Sequence, residues 1–410
     1  MKFSCTKDNL AQGLGVVGHL GNKQTNLPIL NNILIQAEVG GIRLVATNLE
    51  VTARCLIRGK VDQVGEFTVP AKLFSEYVNL LPDERIDIDL LDQAISIKCA
   101  GSKTKINGLP ATEFPVLPPI TGGVKYFFKA RSILVTLNKT LFAVATSEAR
   151  QALTGVLLKI GAGGKKGNLV ATDSYRLAET GLSLRADNGN ESSVLIPGRT
   201  AAEIRRVLGV LGDKLDADTE IEVEIVENQV AVKCGFVELY SRTLEGIFPD
   251  YQLIIPKSFK TEIKVKRSEL IQAIRRTSLF SKTGLFDIKF EVKNVDLNDS
   301  GAVDATTGEK PKAEPGEGSV GGVGAVVGLI ERELVLSAQD SGRGENLVTM
   351  KAEIVGELNN ITMNYRYLLE GLGAFSSEMV TLKLIDGGSP CLVVAEGEEY
   401  LHIIMPIRQN

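Results

Sequence analysis

Apolar and polar positions alternate along much of the chain with the period of a half-buried antiparallel strand. Ile86-Asp87-Ile88-Asp89-Leu90 and Ala94-Ile95-Ser96-Ile97-Lys98 are the clearest cases. Between such runs lie segments whose apolar residues recur every three or four positions. Leu10, Leu14 and Val17 share one face of a first predicted helix, with Asp8 placed as its cap. Lys72 to Leu81 predicts a second, opened by Pro70 and closed by Pro82. Ile29 to Val39 and Ile42 to Val45 flank Gly40-Gly41, a pair that permits positive φ, and predict a hairpin. Thr52 to Ile57 and Glu66 to Val69 continue the strands.

This order of elements repeats. Leu44-Val45-Ala46-Thr47-Asn48 returns 125 residues later as Leu169-Val170-Ala171-Thr172-Asp173, and a weaker copy is Ser337-Ala338-Gln339-Asp340. The offset exceeds the ~20 to 50 residues of solenoid or propeller units and fits whole domains in tandem. In the second copy Arg131 to Thr146 and Thr200 to Leu211 predict helices, Pro197 answers Pro70, and Glu220 to Val226 and Val230 to Val237 predict strands. Gly246-Ile247-Phe248-Pro249 answers Thr112-Glu113-Phe114-Pro115. The third copy has helices at Arg267 to Phe280 and Tyr365 to Phe375, strands at Leu285 to Val292 and Leu334 to Leu336, and a last strand at Leu401 to Met405.

The expectation is an α+β chain of three domains, 1–120, 125–252 and 257–410, each with two helices covering one side of a sheet. A Gly-, Asp- and Lys-rich stretch at about 294–328 is read as a flexible inserted loop.

Composition narrows the chemistry. The N-terminal segment lacks the apolar core of a signal peptide, and no run approaches the ~18 apolar residues of a membrane span, so a cytoplasmic protein is expected. The five cysteines, Cys5, Cys55, Cys99, Cys234 and Cys391, form no CxxC pair and read as reduced core thiols, with no metal or cofactor implied. His19 and His402 are the only histidines, which leaves little for imidazole catalysis.

Two glycine motifs fail on context. Gly13-x-Gly15-x-x-Gly18 falls inside the first helix, not in a strand-to-helix turn, and Glu38 leads into a tight hairpin, so no βαβ crossover is present. Gly161-Ala162-Gly163-Gly164-Lys165-Lys166-Gly167 leads into a strand and reads as a hairpin loop.

Charge is more informative. The predicted helices are net positive although the chain carries −4, so strands and loops hold the acidic excess. At 100° per residue Lys139, Arg206 and Arg276 each lie opposite the apolar stripe of their helix. Basic helices in every repeat point to a polyanion-facing surface making phosphate contacts, salt-sensitive and blind to sequence.

The motif order resembles the bacterial sliding-clamp family, the beta subunit of the replicative DNA polymerase. The resemblance is carried by Met1-Lys2-Phe3, Thr25-Asn26-Leu27-Pro28, Ala46-Thr47-Asn48-Leu49-Glu50, Val69-Pro70-Ala71-Lys72, Ala171-Thr172-Asp173-Ser174-Tyr175-Arg176-Leu177, Phe248-Pro249-Asp250-Tyr251 and Met405-Pro406-Ile407-Arg408. It implies a head-to-tail homodimer of three-domain subunits, closed as a ring around duplex DNA with helices inside and sheets outside. It also implies a non-enzymatic tether for replicative and repair polymerases, set on DNA by a clamp loader and holding clients through short linear motifs. The alternative is a three-domain peptide-binding scaffold that does not encircle DNA.

By matching position the resemblance assigns DNA contact to Lys23, Lys72, Ser147, Gln151 and Ala152, and the dimer interface to Ile106 against Leu279 and Phe280 of the partner subunit. It assigns a partner-peptide pocket to Leu153, Thr172, Tyr175, Arg176, Leu177, Pro249, Leu253, Ile254, Ile403, Ile404, Met405, Pro406, Ile407 and Arg408. Such apolar groups with a few polar ones suit a peptide offering glutamine and one or two large hydrophobes. Leu253 stands where a basic residue can occur, and the chain ends Gln409-Asn410 where a single apolar residue is common.

Overall fold

A computed structural model describes residues 1–22, 27–115, 120, 122–161, 163, 165–185, 190–212, 215–295 and 332–408. The chain divides into two compact units, Met1–Tyr251 and Gln252–Asn410. The first unit holds the first two sequence repeats. The stretch read as an inserted loop lies, from residue 296 onward, outside the described residues, as do Lys23 and Gln409-Asn410.

Helix α1 (Lys7–Val17) shows how a repeat is built. Thr6, not Asp8, is its N-cap, with the Thr6 Oγ1 accepting from the Asn9 N–H at 3.3 Å. The hydroxyl oxygen satisfies one orphan donor of the first turn, and Asp8 follows it as an acidic first-turn residue. Leu10, Leu14 and Val17 are buried. Gly13 lies so close to the sheet that a Cβ there would stand 2.6 Å from Ile57 Cγ2 and 2.8 Å from Leu44 Cδ1. The glycine that mimicked a dinucleotide motif is thus a point of close helix–sheet approach.

The other helices are α2 (Ala71–Leu80), α3 (Ala130–Thr140), α4 (Gly198–Leu211), α5 (Arg267–Ser278) and α6 (Tyr365–Ala374). Helix α3 ends six residues before the expected Thr146, passing into the 3-10 turn Leu141–Ala143. In the first unit α2 packs on α1, α1 on α4 and α4 on α3, giving a helical layer in the order α2-α1-α4-α3. In the second, α5 packs on α6.

The strands are antiparallel throughout the described pairings, and alternate burial explains their period: Ile86 and Ile88 are buried, Asp87 half-buried. In the first unit a five-stranded sheet starts at Lys60–Gln63 and ends on Ser102–Asn107, an edge strand not anticipated from the sequence. An eight-stranded sheet joins the two repeats through Val237–Arg242 against Val51–Ile57, with Val237 opposite Cys55 and Ser241 opposite Val51. The segment expected to be one strand, Val230 to Val237, is two, Gln229–Cys234 and Val237–Arg242, turned at Gly235 with φ +57°. In the second unit a four-stranded sheet ends on Gly344–Lys351, the hairpin partner of Arg332–Asp340.

Candidate DNA-facing helices and partner-binding residues

The helices turn their apolar stripes to the sheets, and several of their basic residues stay exposed. Lys72 on α2, Arg131 on α3, Arg205 on α4, and Arg275 and Arg276 on α5 are exposed. At 100° per residue Arg131, Arg205 and Arg275 lie beside the direction opposite the apolar stripe, so periodicity alone does not mark them. Lys139 is half-buried. Ser147 is an N-cap, its Oγ accepting from Ala149 N at 3.4 Å, at the head of the 3-10 segment Glu148–Thr154. Gln151 in that segment is exposed and Ala152 half-buried.

Arg206 departs from its expected role. Its Nε donates to both Glu203 carboxylate oxygens at 3.1 Å, one terminal nitrogen reaches Glu203 Oε1 at 2.7 Å and the Val16 carbonyl, and the other meets the Gly15 carbonyl at 2.7 Å. Glu203 also meets His19 Nδ1 at 2.9 Å and its side chain is only 4 % exposed. The guanidinium is therefore spent on the last carbonyls of α1 and on a buried carboxylate. The face of α4 opposite its stripe is a helix–helix contact, which single-helix periodicity cannot show.

The repeated turn exists in the backbone as well as in the letters. Thr172 Oγ1 donates to the Arg176 carbonyl at 2.6 Å, Asp173 Oδ1 accepts from Tyr175 N at 2.9 Å and Arg176 N at 3.0 Å, and Ser174 has φ +78°. In the first repeat Thr47 Oγ1 donates to Val51 O at 3.1 Å, Asn48 Oδ1 accepts from Glu50 N at 3.0 Å and Val51 N at 2.8 Å, and Leu49 has φ +73°. Tyr175 and Arg176 thus stand where Glu50 and Val51 do. Tyr175 is 64 % exposed, while the Arg176 guanidinium is held by Asp173 Oδ2 at 3.0 Å, by the Phe142 carbonyl and over the Phe142 ring at 5.4 Å.

Of the other residues expected to meet a peptide, Leu153, Thr172 and Leu177 are buried in the first unit and Pro249 is exposed. In the second unit Leu253 is 83 % exposed, and Ile254, Met405 and Arg408 are also exposed. Pro406 and Ile407 are half-buried, and the Ile407 N–H donates to the Thr362 carbonyl at 2.8 Å. Ile403 and Ile404 are fully buried in the strand Tyr400–Ile404. Ile106, on the edge strand Ser102–Asn107 and opposite Ile95, is 2 % exposed. Leu279 is exposed and Phe280 half-buried.

The five cysteines are buried, and loss of solvation pushes the Cys5, Cys55 and Cys391 thiols up to about 12. Among the described residues no group of three or more His, Cys, Asp or Glu could hold a metal ion, and no helix is long and apolar enough to cross a membrane.

Repeated α+β units with a basic helical layer and apolar side chains exposed at turns define a DNA-clamp type of binding protein. The chain belongs to the DNA polymerase III beta subunit family: residues 1–118 match its N-terminal domain, 129–250 its central domain and 325–408 its C-terminal domain. The beta sliding clamp of Synechocystis sp. is 29 % identical over 429 aligned residues, covering 100 % of this chain and 99 % of that protein. The crystal structure of the DNA polymerase sliding clamp from Bacillus subtilis superposes with a TM-score of 0.85 at 26 % identity, each chain fully covered. A sliding clamp from Bartonella birtlesii bound to griselimycin gives the same TM-score and identity, again with both chains fully covered.

Proposed function

We propose that the protein is a sliding clamp: two copies close head to tail into a ring around duplex DNA and tether the replicative DNA polymerase and other DNA-processing proteins. It acts by encirclement and has no catalytic step of its own. Exposed Lys72, Arg131, Arg205, Arg275 and Arg276 make contacts to phosphates weak enough to slide. Lys23 and Gln151 join them by family position. Tyr175 and Pro249 in the first unit, and Leu253, Ile254, Met405 and Ile407 in the second, take the glutamine-and-hydrophobe motifs of clients. A clamp loader places the ring on DNA.

The observation that carries ring closure is a pair of unpaired sheet edges. Within the first unit, Val237–Arg242 lies on Val51–Ile57 and fuses two repeats. Their repeat counterparts are Ser102–Asn107, paired on Ala94–Cys99 as Val237–Arg242 is on Gln229–Cys234, and Gly344–Lys351, paired on Arg332–Asp340 as Val51–Ile57 is on Gly41–Thr47. Both end their sheets among the described residues. Joining one copy's Ser102–Asn107 to a second copy's Gly344–Lys351 repeats the internal junction twice and closes a ring. Transferred register sets Lys105 opposite Glu345 and Lys103 opposite Leu347. Helix α2 then meets α5 as α4 meets α1, covering Leu73 (53 % exposed), Leu80 (86 %) and Leu279 (66 %).

The test loads the protein with a clamp loader and ATP onto nicked circular DNA. Retention on the circle and loss on linearising it support the ring. A protein that stays monomeric at micromolar concentration and leaves the circle unbound is the non-encircling scaffold.

A further inference from the structure

The internal repeat exposes an opening in the second copy that the first copy seals. In the first, the segment ending Glu113-Phe114-Pro115 folds down so that Phe114 is 4 % exposed and packs on Leu34 and Val45. The counterparts of Leu34 and Val45 are Leu157 and Val170, paired in the same register. Yet Phe248, the counterpart of Phe114, is only half-buried and stacks edge-on to Tyr251, ring centroids 6.3 Å apart. Under it lies a cavity of about 630 Å³ with Leu157 and Leu195 at the floor and Leu244 and Phe248 in the wall. Ile247, at the rim, is 93 % exposed where the first copy has Glu113.

The opening is held by anchors at both ends of the loop. Thr243 N donates to Asn228 O and Leu244 N to Leu195 O, both at 2.9 Å, and the Tyr251 hydroxyl donates to buried Glu179 at 3.0 Å. The intervening Glu245, Gly246, Ile247, Pro249 and Asp250 are exposed. Three carboxylates, Glu227, Glu245 and Asp250, line the cavity against one ammonium, Lys159.

We propose that this cavity is a second docking site, separate from the client residues named above except for shared Pro249, and that its ligand is a protein segment with a large apolar side chain flanked by lysine or arginine. The apolar floor takes the side chain, Ile247 covers it, and the acidic rim selects the flanking charge. A carboxylate rim repels phosphate, so the site takes a basic peptide and not nucleic acid.

The full-length protein, labelled at isoleucine methyls, is titrated with the peptide Gly-Lys-Leu-Phe-Lys-Gly and with the same peptide carrying Glu for both Lys. The basic peptide is expected to shift the Ile247 methyl saturably while Ile254 and Ile407 stay still, and the acidic one to bind at least about fivefold more weakly. Glu245→Gln with Asp250→Asn, both exposed and tolerant of change, weakens the basic peptide by a similar factor and leaves client-motif peptides unaffected. An unmoved Ile247 at millimolar peptide, equal response to both peptides, or shifts confined to Ile254 and Ile407 would each overturn the proposal.

Discussion

Tyr175 and Glu50 occupy one backbone position in two copies of one turn, so what separates them is the side chain alone. A solvent-facing tyrosine on a rigid turn is a low-entropy anchor for a partner, and nothing in the turn depends on its ring. Tyr175→Ala is therefore expected to leave the melting temperature unchanged and weaken a client-motif peptide by about 1 to 2 kcal/mol, roughly tenfold, by fluorescence anisotropy. Met405→Ala, 36 % exposed, is expected to do the same in the same direction with the dimer intact. Equal peptide affinity in wild type and both variants removes these residues from the client site. The cysteines supply an independent check on the core. With thiols buried and Cys5, Cys55 and Cys391 pushed up to about 12, the native protein at pH 8 should react with none of its five in a thiol-exchange assay, and with all five once denatured.

Between elements the decisive contact is the one α4 makes with α1. Removing Arg206 leaves Glu203 buried beside His19 with its main cation gone, which by the usual cost of breaking a buried pair lowers stability on the order of 3 kcal/mol. Arg205→Ala, one residue away and exposed, is expected to leave stability alone and lower the salt dependence of DNA retention by about 0.9 in log–log slope per lost phosphate contact. Thermal unfolding and salt titration separate the two, and the reverse pattern would return Arg206 to the DNA. This pair shows how far the sequence could be read. Period identified both helices and the stripe each buries, because burial against a sheet is a property of one helix. It gave Arg206 to solvent because the Gly15 and Val16 carbonyls that cover it lie 191 and 190 residues away, and Glu203 three residues before it does not mark that face as a helix contact. Ile106 comes from the family resemblance alone, and alternation turns it to the buried face of an edge strand that periodicity does not mark. The tandem repeat, by contrast, was written in the letters, since the Thr-Asx turn needs its hydroxyl and its carboxylate or amide at fixed spacing.

At the scale of the whole molecule, the internal junction predicts the external one. Val51–Ile57 and Val237–Arg242 pair within one chain, while Gly344–Lys351 and Ser102–Asn107 carry the same topology with no strand on their outer edge among the described residues. Long unpaired edges invite indiscriminate association, and lysines on Ser102–Asn107 discourage it unless the incoming strand supplies acid. Glu345 supplies it in the transferred register, directly across from Lys105. An exposed pair of this kind is worth only ~0.2 to 1 kcal/mol, but the ring contains it twice, and like charges directly opposite are destabilising instead. Lys105→Glu and Glu345→Lys are thus each expected to shift the monomer–dimer equilibrium toward monomer at low salt, by sedimentation, and the double variant to recover the dimer with the pair inverted. Recovery depends on register, because a slip of one residue faces Lys105 with Gly344 or Asn346 and the two reversals would then act independently. A double variant no more dimeric than the worse single one would show that the subunits do not repeat their own internal junction.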